Sequence, residues 1–78
     1  MAGAVVQNDV EIGADVIINT RASIDHGSWI GDHTHIAPGA IICGEVEVGA
    51  NCFIGAGAIV KQGTKIASGE VIKAGSLI

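Results

Sequence analysis

Aromatic residues are almost missing from this 78-residue chain, which holds no tyrosine, one tryptophan and one phenylalanine. A core built without aromatics has to be thin and repetitive, filled by stacked branched aliphatics. Cations are scarce too. Four Lys and Arg stand against eight Asp and Glu, for a net charge of −4. That balance excludes a general nucleic-acid or anionic-membrane surface. The two cysteines, Cys43 and Cys52, lack metal-site spacing, so reduced thiols in a cytoplasm are expected rather than a disulfide. No basic segment followed by an apolar run opens the chain, so no signal peptide is read. The longest apolar stretch falls far short of a membrane span. A chain this short makes one domain at most, of a size that often leans on oligomers, metals or disulfides.

What is present is a beat of six. Val6, Ile12, Ile18, Ile24, Ile30, Ile36, Ile42, Val48, Ile54, Val60, Ile66, Ile72 and Ile78 recur without a break. Amphipathic helices and free-standing strands place apolar residues at periods of about 3.6 and 2.0, so neither fits. A hexapeptide period marks a solenoid whose wall turns a corner once per repeat.

With each aliphatic as position one, the fifth position is small or β-branched everywhere from Val10 to Ser76 except at Glu70. Such residues suit the crowded inside of a narrow coil. The fourth position runs Gly3, Asp9, Asp15, Arg21, Gly27, His33, Gly39, Glu45, Asn51, Gly57, Gly63, Gly69 and Gly75. Gly, Asn and Asp dominate it, the residues that tolerate positive φ. A left-handed turn every six residues is therefore expected. Three such corners close a triangle of eighteen residues, and four coils at strand spacing make a prism roughly 20 Å tall. Flat prism sides bury apolar area by packing on copies of themselves, and three prisms side by side close the assembly. A homotrimer is expected.

Charge is uneven along the chain. Lys61, Lys65 and Lys73 against Glu70 leave the last quarter positive, which reads as a solvated surface or as a basic end that meets a phosphorylated ligand.

The segment from Ile17 to His26, Ile17-Ile18-Asn19-Thr20-Arg21-Ala22-Ser23-Ile24-Asp25-His26, carries one histidine. Ile30-Gly31-Asp32-His33-Thr34-His35-Ile36-Ala37-Pro38-Gly39-Ala40 carries two more, and Phe53-Ile54-Gly55-Ala56-Gly57-Ala58 follows a coil later. Together these resemble the sialic-acid O-acetyltransferases and bacillosamine N-acetyltransferases, hexapeptide-repeat enzymes that use acetyl-CoA. The resemblance implies an all-β, left-handed parallel β-helix, a trimer, and active sites in clefts between subunits. It places His26 on the family's catalytic histidine, the general base that deprotonates the acceptor amine or hydroxyl. It places His35 on a second histidine lining the acetyl-CoA site, and Ala56 and Ala74 on backbone positions that contact this cofactor.

The residues themselves support parts of this. An imidazole supplies a base near neutral pKa. Gly55 and Gly57, read as exposed strand backbone, offer a surface for an extended pantetheine arm. His26 is third in its hexad and His35 sixth, so on one prism they stand on different faces and approach each other most readily across a subunit boundary. His33 occupies the turn slot and reads as structural. Separations of seven, two and nine residues among the three histidines give no zinc pattern.

Two departures stand out. The family's residue after the catalytic histidine is usually acidic, and here it is Gly27. Asp25 is not expected to replace it, because adjacent strand residues point to opposite faces. The family's N-terminal Rossmann-like domain, which binds the nucleotide sugar, is also expected to be lacking, leaving residues 1–78 as one β-helix domain. The readings that remain are an acetyl-CoA-dependent acetyltransferase with a small sugar-like acceptor, and an inactive solenoid remnant serving as a binding or structural module. Nucleic-acid, membrane and metal partners are not expected in either.

Overall fold

The computed structural model describes residues 3–78. Twelve two-residue strands, each made of positions six and one of a hexad, form three parallel four-stranded sheets. The first face holds β1 (Val5–Val6), β4 (Ser23–Ile24), β7 (Ile41–Ile42) and β10 (Ile59–Val60). The second holds β2 (Glu11–Ile12), β5 (Trp29–Ile30), β8 (Glu47–Val48) and β11 (Lys65–Ile66). The third holds β3 (Ile17–Ile18), β6 (His35–Ile36), β9 (Phe53–Ile54) and β12 (Val71–Ile72). Each strand from β1 to β9 pairs with the one eighteen residues on, as in Ser23 with Ile41 and His35 with Phe53. The molecule is a left-handed parallel β-helix of about four coils, 24 × 23 × 19 Å in extent.

The turn slot behaves as its composition predicts. All thirteen fourth positions have positive φ, from 55° at Asp15 to 80° at Gly69. Arg21, His33 and Glu45 adopt it as well, at φ of 62°, 59° and 56°, a conformation that costs an L-residue about 1–2 kcal/mol. The left-handed turn aims the backbone N–H at the preceding coil. His33 N donates to Ala14 O at 2.9 Å and Glu45 N to His26 O at 3.1 Å. Turn-slot N–H groups from His33 to Gly75 are thereby paired with the preceding coil, which offsets part of the strain.

Inside, position one stacks aliphatic on aliphatic, and Ile24, Ile30, Ile36, Ile42 and Ile54 are fully buried. The stack is looser at Ile12, which is 40% exposed. Position five brings two hydroxyls into this core, both satisfied. Thr34 Oγ1 donates to Gly49 O at 2.8 Å and accepts from Cys52 N at 3.2 Å. Ser28 Oγ donates to Cys43 O at 2.8 Å and accepts from Val46 N at 3.1 Å. Glu70 is exposed in the last coil.

Position six points outward and gives each face its character. The first face shows Val5, Ser23, Ile41 and Ile59, with Leu77 bridged beyond. The third shows Ile17, His35, Phe53 and Val71. The second shows Glu11, Trp29, Glu47 and Lys65. Two faces are apolar and one is charged.

Candidate active site

His26 stands on the first corner, which joins the first face to the second, in a turn and not on a strand. This corrects the expectation for Asp25. At a turn, neighbouring side chains are not sent to opposite sides, and Asp25 Oδ1 accepts from the backbone N–H of His26 at 2.7 Å and lies 3.0 Å from its Nδ1. The backbone hydrogen bond, helped by the imidazole contact, holds the Asp25 carboxyl below the usual carboxylate range. A carboxylate accepting at Nδ1 fixes the tautomer and leaves Nε2 free to take a proton. Both side chains are open to solvent, His26 at 68% and Asp25 at 53%.

The coil above shapes the seat of this histidine. A Cβ on Gly44 would lie 3.7 Å from His26 Cε1 and 3.9 Å from Nε2, so the ring is folded against the glycine. Gly27 has φ +73°, and the Cγ of Glu45 lies 3.3 Å from where its Cβ would be. An acid thus overlies the glycine slot from the next coil, and Gln62 Nε2 holds it by donating to Glu45 Oε1 at 3.2 Å.

His35 lies on the third face, remote from the His26 corner, as its place in the hexad predicts. Its Nε2 is 2.6 Å from the Asn19 side-chain amide, which donates to it. That bond leaves the proton of a neutral ring on Nδ1, a donor. The ring meets Phe53 edge-on, with centroids 5.1 Å apart and planes at 63°. Asn19 escaped the sequence reading. The available signal was its position two, one coil before and beside the outward position six of His35.

Gly55, Ala56 and Ala74 lie together on the third corner, which joins the third face back to the first. The expectation of exposed strand backbone at Gly55 and Gly57 is corrected, since both are turn residues. Gly55 is buried, its N donates to Ile72 O at 2.7 Å, and a Cβ there would collide with the backbone N of Ala74. Close coil stacking requires that glycine. Gly57 is exposed, with φ +68° and open space where a Cβ would be. Ala56 and Ala74 are both exposed and are tied one coil apart, Gly75 N donating to Ala56 O at 2.9 Å. The corner runs Ala37-Pro38-Gly39, Gly55-Ala56-Gly57 and Lys73-Ala74-Gly75 from coil to coil, a smooth strip beside His35.

His33 takes the turn slot, with Nδ1 3.4 Å from Asp15 Oδ2 one coil below, which matches its structural reading. Among the described residues, no three His, Cys, Asp or Glu side chains are grouped to hold a metal ion.

The bacterial transferase hexapeptide pattern (six repeats) matches residues 9–44 and again 27–62. The chain belongs to that family. Among solved structures it is similar to PerB from Caulobacter crescentus in complex with CoA and GDP-perosamine, at 30% identity and a TM-score of 0.74. The likeness covers 97% of this chain and 45% of that one. A histidine-to-asparagine variant of perosamine N-acetyltransferase from the same organism, also with CoA and GDP-perosamine, matches at 29% identity and a TM-score of 0.72, over 97% and 45% of the two chains. The acetyltransferase domain of PglB from Neisseria gonorrhoeae shares the fold, at 21% identity and a TM-score of 0.59, over 95% and 48%. The hexapeptide-family chain thus spans under half the length of these solved relatives. A comparison with curated protein sequences finds no match.

Proposed function

We propose that this hexapeptide-family protein is an acetyl-CoA-dependent acetyltransferase of the sialic-acid and bacillosamine acetyltransferase type. It works as a cytoplasmic homotrimer on an amino or hydroxyl group of a sugar-like acceptor. The observation that carries this reading is the gathering of His35, Ala56 and Ala74 on one smooth side of the prism, while His26 stands at another corner with a carboxylate on its Nδ1. The trimer turns the apolar first face of one copy toward the apolar third face of the next. His26 sits at the edge of the first face, so this arrangement brings it toward the neighbour's His35.

Bound acetyl-CoA supplies the acetyl group as an activated thioester. His26 Nε2 takes the proton of the acceptor amine or hydroxyl as that atom bonds to the acetyl carbon, and later returns it to the departing thiolate. Asp25 holds the imidazole in the required tautomer. His35, bound by Asn19, offers its Nδ1–H to the cofactor.

A second reading, a solenoid that binds without turnover, draws on Gly27, which stands where an acid follows the family's histidine. Calorimetric titration with acetyl-CoA tests the first requirement of the enzyme reading. Saturable binding lost in His35→Ala supports it, and no binding at millimolar ligand sinks it. Binding without acetyl transfer to any amino sugar or sugar hydroxyl selects the second reading.

A further inference from the structure

The eight carboxylates are not spread around the prism. Asp9, Asp25 and Glu45 lie on the first corner, Glu11 and Glu47 on the second face, and Asp15, Asp32 and Glu70 on the second corner. The first face, the third face and the third corner between them carry no acid among the described residues. Arg21 and Lys73, both on the third corner, are the only Lys or Arg of that half. It therefore has a formal charge of +2 within a chain of −4.

The basic last quarter is divided by the same geometry. Lys61 lies on the first corner among acids. Lys65 lies on the second face, 3.8 Å from Glu47 Oε2. Lys73 alone reaches the candidate cofactor strip. Its backbone is packed onto Gly55, where a Cβ would come 2.7 Å from Lys73 C, and its carbonyl accepts from Ser76 N at 3.2 Å. The side chain is exposed, and no carboxylate lies within ion-pair distance of it among the described residues.

We infer that Lys73 is the residue that selects a phosphorylated acyl donor, by pairing with the phosphates of its nucleotide end. The inference rests on the acetyltransferase reading above and adds to it a single residue and a single chemistry. An uncompensated ammonium beside an apolar strip attracts a polyanion without first having to break an internal pair. Lys61 and Lys65 lie across the prism and already sit in the field of carboxylates, so they take no part.

Calorimetry on the intact protein separates the possibilities with two probes, acetyl-CoA and acetylpantetheine. Lys73→Gln is expected to weaken acetyl-CoA binding roughly five- to tenfold and to flatten its dependence on salt. Acetylpantetheine, which lacks the nucleotide, binds the variant as it binds the parent. Lys73→Arg restores most of the affinity, while Lys61→Gln and Lys65→Gln stay within about twofold of the parent. The inference is overturned if Lys73→Gln leaves acetyl-CoA affinity unchanged, if it weakens acetylpantetheine equally, or if the three lysines contribute alike. If the parent protein binds acetyl-CoA at no concentration, the functional reading fails with it. Binding that is indifferent to Lys73 removes only the inference.

Discussion

The two halves of this prism share one backbone and almost one interior, yet their surfaces have opposite chemistry. Around the second face the outward ladder alternates acid, tryptophan, acid and lysine, and every carboxylate of the chain lies there or on the adjoining corners. Around the third corner the surface is aliphatic or nearly bare backbone, and among the described residues it holds two cations without an ion pair and no acid. Because the hexad confines the core to positions one and five and the close coil stacking to position two, positions three and six are free to differ at little cost to the fold. The comparison teaches that in a solenoid the repeat carries stability and the deviations carry function. His26 stands at the first corner, on the boundary between the halves.

The strongest way to break the comparison is to remove the group on its boundary. His26→Ala is expected to lower kcat for acetyl transfer by about 10²–10⁴-fold, the usual worth of a positioned general base. Acetyl-CoA affinity should be nearly unchanged, because the candidate cofactor strip is on another corner. A variant that loses donor binding and turnover together would show that the two sites are not separate.

Next in size is assembly. Ile59→Glu puts a charge in the middle of the apolar first face, beside Ile41 and Leu77, and light scattering should find it monomeric if the proposed trimer is the parent's assembly. Trp29→Glu makes a change of similar size on the second face and should leave the trimer intact. Equal effects from both would remove the distinction between apolar and charged faces. Inside the coil, Gly55→Ala should destabilise by about 1–3 kcal/mol, since its Cβ meets backbone and not a yielding side chain. Thermal unfolding reads this directly.

How much of this was legible in the sequence follows from what a repeat encodes. Core and corner are written at fixed positions, so the coils, the left-handed turns and the separation of His26 from His35 could all be read from spacing. Contacts between coils were not legible in the same way. Asp25 was set aside by a rule for strands that does not hold at a turn. The lysines of the last quarter looked like one basic patch because neighbours in sequence are distributed around a triangle. The partner of His35, Asn19, lies sixteen residues away, visible only once eighteen residues are known to return the chain to the same side. Gly55 looked like an open surface and is instead a point where two backbones touch.

The finest test concerns Asp25 against Glu45, the two acids nearest His26 on the crowded side of the boundary. Asp25 accepts at Nδ1, whereas Glu45 overlies Gly27 and is engaged by Gln62. Asp25→Asn is therefore expected to lower kcat about tenfold, worth about 1.4 kcal/mol in the barrier, with the KM for acetyl-CoA unchanged. Glu45→Gln should change kcat by less than about twofold. Nitrogen chemical shifts of His26 supply an independent readout, with the Nδ1–H tautomer dominant in the parent and mixed in Asp25→Asn. The sign with pH is also fixed. A carboxyl whose folded pKa is depressed supports its partner above the ordinary carboxylate range and releases it only as pH falls through the lowered value. The tautomer preference should therefore persist throughout the range in which the imidazole is neutral. If Glu45→Gln instead costs more than Asp25→Asn, the acid that orients the base is the one supplied by the next coil.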